Sequence, residues 1–126
     1  MLLNIFLVGL GGFVGCVLRY LAGQISMDNQ TLFPYKTLLI NLVGCLAIGI
    51  LAAVCAKVEV DARLELFIRV GLCGGFTTFS AFALESERLL QNGHYAIAAT
   101  YIALSIVLGI GAVIGTQMAI GSRLPE

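Results

Sequence analysis

Residues 71–82 read Gly71-Leu72-Cys73-Gly74-Gly75-Phe76-Thr77-Thr78-Phe79-Ser80-Ala81-Phe82, which sets a glycine pair, three hydroxyl side chains and three phenylalanines inside an apolar segment. Glycine costs roughly 1 kcal/mol against alanine in a helix interior, and Thr and Ser hydroxyls bond nearby backbone. A helix entering this stretch is therefore expected to unwind over residues 74–78. In a bilayer, unwound backbone persists only where protein or water covers it, as at ion and substrate sites built from broken helices.

The rest of the chain supplies the bilayer. Of its 126 residues, 60% are hydrophobic and 11% charged, and the mean hydropathy is +1.01; a soluble domain carries roughly 25% charged residues. Residues 1–18, 37–56 and 95–122 contain no Asp, Glu, Lys or Arg, and each approaches or exceeds the roughly 20 residues that cross the hydrocarbon core. A fourth candidate, residues 64–90, holds Glu65, Arg69, Glu85, Glu87 and Arg88, so its charge-free part is confined to 70–84. The pattern predicts an all-α membrane protein, a single domain over residues 1–126 with four transmembrane helices, the third of them broken.

Several function classes are disfavoured. The first span lacks the basic flank of a signal peptide and three more spans follow, so it is read as a membrane helix. Net charge is zero and no basic run occurs, which argues against nucleic acid as a partner. Cys16, Cys45, Cys55 and Cys73 lie in apolar stretches without the C-x-x-C spacing of metal or redox sites and are read as small buried residues. No Ser/His/Asp, Cys/His or metal-ligand cluster suggests an enzyme. Gly9, Gly11, Gly12 and Gly15 lack both the spacing and the preceding strand of a dinucleotide fingerprint.

Four spans put Lys57, Arg63, Arg69 and Arg123 on one side of the membrane and Arg19, Lys36 and Arg88 on the other. Basic residues normally fix topology, and a four-to-three split leaves both orientations open. A 13.3 kDa chain has little interior in which to bury polar groups, so an oligomer is expected. Three G-x-x-x-G pairs, Gly11/Gly15, Gly71/Gly75 and Gly111/Gly115, place glycines on one helix face for close contact, either between subunits or within one.

Polar residues deep in the spans are the candidate functional groups. Asn41 lies between Ile40 and Leu42 and must hydrogen-bond either a permeating species or another helix. Tyr101 and Ser105 are four apart and share a helix face; together they offer hydroxyls to an ion, although Ser105 alone also suits a bond to its own backbone. Glu85, at the margin of the apolar stretch, must face water or a partner. Arg19 and Arg69 either snorkel to headgroups or lend positive potential to a water-filled vestibule. His94, beside Gly93, is read as surface.

The segments GGFVGCVLRY (11–20), TLLINLVG (37–44) and GLCGGFTTFSAFALE (71–85) resemble the bacterial fluoride-channel family known as Fluc or CrcB, and the likeness covers all four helices. The resemblance implies an antiparallel, dual-topology homodimer with two fluoride pathways, in the bacterial inner membrane, passively exporting toxic cytoplasmic fluoride. It implies a structural sodium ion at the dimer centre, held by the main-chain carbonyls of Gly74 and Thr77. It maps the pathway phenylalanines onto Phe79 and Phe82, a pathway-side asparagine onto Asn41, the polar track onto Ser80, Tyr101 and Ser105, a pore-end glutamate onto Glu85 and a vestibular arginine onto Arg19. The sequence departs from the family pattern at Ala81, where many relatives carry Thr, and at Gly109, where a Ser can continue the track. Phe76 receives no pore role and is read as packing.

Two other classes remain for comparison. A proton-coupled small multidrug exporter needs an acid deep in the first span, which has none. A non-transporting assembly subunit explains the glycine faces but gives the broken helix no purpose.

Overall fold

The computed structural model describes residues 1–26 and 30–121; Ser122 and Arg123, counted above in the last span and in the charge balance, lie outside the described residues. The elements are α1 (Leu2–Gln24), α2 (Tyr35–Cys55), α3 (Ala62–Leu66), a π-helical segment (Phe67–Cys73), α4 (Gly74–Phe76), α5 (Phe79–Gln91) and α6 (Tyr95–Ile120). Among the described residues all regular structure is helical. Four stretches are long and apolar enough to cross a membrane: α1, α2, the composite Ala62–Gln91, and α6. The chain is thus a multi-pass membrane protein, as its hydropathy predicts.

Local chemistry sets the helix ends. Asp61 caps α3 by accepting the N–H groups of Arg63 and Leu64 at 2.9 and 3.2 Å. Between α5 and α6, His94 N–H donates to Leu89 O and Gly93 N–H to Leu90 O, with Gly93 at φ +77°. This pair of hydrogen bonds around a left-handed glycine reverses the chain in three residues and lays α6 antiparallel to α5. Lys36 Nζ donates to Gly23 O at 2.9 Å and Lys57 Nζ to Ile120 O, so each lysine covers the free carbonyls of a neighbouring helix C-terminus.

Two close helix pairings build the subunit: α2 along α6, and α1 along the π-helical segment and α4. The second is a glycine-on-glycine contact. A methyl group at Gly71 would lie 2.8 Å from Val8 O, and one at Gly75 would lie 2.5 Å from Gly12 O; Gly11 and Gly15 are equally tight against Phe67 O and Leu72 O. Backbone meets backbone there, as small-x-x-x-small pairs allow. Two of the three G-x-x-x-G pairs therefore serve contacts inside one chain, whereas Gly111 and Gly115 have nothing within 4 Å of an added methyl.

The expected unwinding at residues 74–78 is corrected to a shorter break. Gly74 to Phe76 stay helical, and only Thr77 (φ −81°, ψ 158°) and Thr78 (φ −149°, ψ 112°) are extended. The reason is that Gly75 is used for approach to α1 rather than for backbone freedom. The preceding Phe67–Cys73 turns are π-wound, a rare geometry found mostly at functional sites. Interior is scarce. A small cluster of Leu38, Leu89, Ala98 and Tyr101, flanked by Phe33, Leu42, Phe82 and Ile97, joins α2, α5 and α6. Between 11% and 28% of each span is buried within the chain, which leaves most apolar surface to lipid or to a second subunit.

Candidate functional site

The break is held by one side chain from another helix. Asn41, in the N-terminal half of α2, accepts the Thr78 N–H on Oδ1 at 2.8 Å and donates Nδ2–H to Thr78 O at 3.1 Å. The amide thus replaces both bonds that a helix would have given Thr78. Thr78 Oγ1 then accepts the Ala81 N–H at 3.2 Å and caps α5. On the other side of the break, Thr77 sends both its N–H (3.0 Å) and its hydroxyl (2.9 Å) back to Cys73 O. Gly44 makes room for this strand, since any side chain there would strike the Thr77 methyl.

These bonds leave carbonyl oxygens without helical partners. The N–H groups that would close a turn on Gly74 O belong to Thr77 and Thr78, and they go to Cys73 and Asn41 instead. Ala81 N–H likewise goes to Thr78 Oγ1 rather than to Thr77 O. Carbonyl oxygens without helical partners suit a hard cation such as sodium, so the Gly74 and Thr77 positions fit the group that the sequence resemblance implies.

A cavity of about 360 Å³ opens on this break, and its walls include Asn41, Cys45, Arg69, Gly74, Thr77, Phe79, Phe82 and Ser105. Phe79 and Phe82 lie 5.5 Å apart at 51°. Phe79 is 79% exposed in the single chain, so its ring is offered outward, while Phe82 also contacts the buried Tyr101 ring at 5.3 Å. The Ser105 hydroxyl oxygen is buried without any hydrogen-bond partner. A second cavity, about 430 Å³, is walled by Arg19, Lys36, Thr37, Thr78, Ala81 and Glu85 among others. Thr78 borders both cavities, whereas Asn41 lines only the first.

Glu85 has no need of bulk water. Thr37 Oγ1 donates to one carboxylate oxygen at 2.6 Å and Tyr101 OH to the other at 2.7 Å. A third cavity, about 540 Å³, reaches Glu85 from the side of Arg88, Asn92 and His94. Arg69 pairs with Glu65 at 2.9 Å while remaining half exposed.

The structure therefore brings Asn41, Phe79, Phe82 and Ser105 to one cavity, and Arg19 and Glu85 to the next. Ser80 is exposed and touches Thr78, with 3.3 Å between the hydroxyls. Tyr101 is fully buried and spends its hydroxyl on Glu85, so it and Ser105 share a face without forming a joint ladder. Phe76 lines a separate, largely apolar pocket together with Leu39, Ile40 and Val43 of α2. Two contributors were not singled out from sequence, Thr37 and Thr78. Thr78 carried the signal of a hydroxyl three residues before an unsatisfied helix N–H, and Thr37 that of a polar residue one turn before Asn41.

Comparison with known proteins agrees with this architecture. The profile of the family described as "CrcB-like protein, Camphor Resistance (CrcB)" matches residues 6–117. Among curated relatives, a protein named Fluoride-specific ion channel FluC from Phocaeicola vulgatus is 42% identical over 118 residues, covering 92% of this chain and 98% of its own. Proteins of the same name from Flavobacterium psychrophilum and Agrobacterium fabrum are 47% identical (85% of this chain, 88% of theirs) and 40% identical (98% and 99%). With a family match across nearly all of its length and relatives of its own size, this chain belongs to the CrcB family.

Proposed function

We propose that the chain is one subunit of a passive, fluoride-selective channel through which cytoplasmic fluoride leaves across the bacterial inner membrane, rather than an enzyme. The observation that carries this reading is the Thr77–Thr78 break, pinned by Asn41 and opening onto the paired rings of Phe79 and Phe82. The names of the relatives supply the ion.

The chemistry follows from the ion's hydration. Fluoride is small and strongly hydrated, so a narrow passage must replace water with several partial positive charges that hold it weakly. Arg19 and Lys36 beside the second cavity raise the local anion concentration. The positive edges of Phe79 and Phe82 then solvate the ion without trapping it. Asn41 spends one amide hydrogen on Thr78 O and keeps the other. Ser80 and Ser105 add hydroxyls beside the pathway, while Tyr101 acts through Glu85, to which its hydroxyl is committed. Glu85, which would repel an anion, has a hydroxyl donor turned onto each carboxylate oxygen.

The functional unit in this reading is an antiparallel homodimer in membrane lipid with two pathways. Small burial within one chain and the nearly even division of basic residues support it. A two-fold axis would double the Gly74 and Thr77 carbonyls into four oxygen ligands for a structural sodium ion at the interface. The test is anion efflux from liposomes holding purified protein at imposed potentials. Fluoride efflux that follows the potential and needs no proton gradient is expected; equal chloride efflux, or an obligatory proton gradient, overturns the proposal.

A further inference from the structure

The wall of the 360 Å³ cavity carries a single unit charge. Among the described residues that line it, Asn41, Ser105 and two thiols are polar without charge, the rings of Phe79 and Phe82 are apolar, no carboxylate occurs, and Arg69 is the one cation. The second cavity is built differently, with Arg19 and Lys36 sharing its wall with Glu85. The two sets of cations lie toward opposite ends of the bundle. Arg19 belongs to the last two turns of α1 and Lys36 to the first turn of α2, whereas Arg69 stands in the first third of the span Ala62–Gln91, which begins on the side where α2 ends. An arginine inside a span is costly unless it pairs or faces a water-filled cavity. Arg69 does both. Its guanidinium meets Glu65, one turn earlier, at 2.9 Å, and its side chain is still 54% exposed, so the ion pair leaves it open. Snorkelling to headgroups accounts for the pair with Glu65 but not for a place in the wall beside Asn41 and the paired rings.

We propose that Arg69 is the anion-concentrating charge of the first cavity, the counterpart of Arg19 and Lys36 on the opposite side of the Thr77–Thr78 break, and that Glu65 tempers it. This rests on the fluoride-channel reading above. Without Arg69, an ion leaving the ring edges and the amide for the Ala62 side would cross a cavity whose walls hold only neutral groups. The guanidinium lowers the energy of an anion there, raises that of a cation, and so favours passage of the right sign. An unopposed arginine would also retain the ion. The Glu65 carboxylate beside it weakens the field without covering the guanidinium, which suits a passage that must release what it attracts.

The experiment measures fluoride efflux from liposomes, at fluoride below saturation, for wild type, Arg69→Gln, Arg69→Lys and Glu65→Gln, each normalised to folded protein. Every variant is assayed at ionic strengths of about 0.01 M and about 1 M set with impermeant ions, where the Debye length is about 30 Å and about 3 Å. A unit charge about 7 Å from an ion in water-like surroundings changes its occupancy about threefold. Arg69→Gln should therefore lose about threefold in flux at low ionic strength, and the deficit should close at high ionic strength. Arg69→Lys, which keeps the charge but not the planar fork, should recover most of the loss. Glu65→Gln should exceed wild type at low ionic strength and converge on it at high. Wild-type flux in Arg69→Gln at low ionic strength overturns the proposal, as does a deficit that persists at high ionic strength or is not relieved by lysine, since a packing role predicts both. Flux below wild type in Glu65→Gln overturns the tempering by Glu65. If wild type itself passes no fluoride, the channel reading fails instead, so the two failures are told apart.

Discussion

Replacing Asn41 by leucine, similar in size but without polar atoms, tests what holds the third span open. The substitution removes two hydrogen bonds at once, to the Thr78 N–H and to Thr78 O. Side-chain bonds between membrane helices average only about 0.6 kcal/mol, because the reference state finds other partners. Thr78 is different, since it is extended and 9% exposed and its orphaned groups would stay buried. Each such group costs about 1–3 kcal/mol, or roughly 2–6 kcal/mol for the pair. The cheapest relief is for the Thr78 N–H to take Gly74 O and close the helix. That movement would consume a carbonyl proposed above as a sodium ligand, uncap α5 and reorient Phe79. In lipid nanodiscs, amide hydrogen exchange at residues 77–81 should change by at least one order of magnitude, and fluoride efflux should fall by a comparable or larger factor. Asn41→Asp should also disrupt the break, because a carboxylate oxygen would then face Thr78 O in place of Nδ2–H. Wild-type exchange and wild-type flux in Asn41→Leu would refute the claim that this amide maintains the break.

Other consequences follow from the same geometry. Gly75→Ala drives a methyl group to 2.5 Å from Gly12 O and should lower thermal stability by about 1–3 kcal/mol, whereas Gly111→Ala meets nothing in the chain and should leave subunit stability unchanged; equal melting temperatures would contradict the packing argument. Phe79→Ile and Phe82→Ile should both slow fluoride efflux, but only Phe82→Ile should also loosen the subunit, since that ring contacts Tyr101 and Phe79 is exposed; thermal melts beside flux assays separate the two effects. Sodium should stabilise the dimer more than potassium at equal ionic strength, and identical dimer dissociation in the two salts would count against the carbonyl site. Two or three lysines added at one terminus should bias insertion and depress activity, with rescue by an oppositely biased partner; full activity from a uniformly oriented population would exclude dual topology.

The spans were legible because hydropathy needs no partner to be read: α1, α2 and α6 fall where the charge-free runs place them. The broken third helix was legible in kind and in place, since Thr77–Thr78 falls within residues 74–78, but not in extent. Glycine marks both flexibility and close approach, and the sequence does not say which; Gly75 is packed against Gly12, a choice made by a helix sixty residues away. The true break depends on Asn41 reaching Thr78, a pairing 37 residues apart that no local window contains. The π winding of Phe67–Cys73 left no recognisable trace in composition. Candidate site residues were easier, because a polar group in an apolar span stands out even when its partner is unknown. Hence Asn41, Glu85 and Ser105 were named from sequence, while Thr37, nearer the helix end, was overlooked.

The glycine contact between α1 and the third span bears on biogenesis. Because Gly11, Gly15, Gly71 and Gly75 all make their close contacts inside one chain, a newly inserted chain can form this helix pairing on its own. Folding and association then become separate events. Under the proposed dual-topology assembly, subunits of either orientation would persist, diffuse laterally and pair on encounter, and the yield of complete pairs would rise with the square of subunit density in the membrane. Scarce expression would limit the number of pairs well before it limited the number of folded chains.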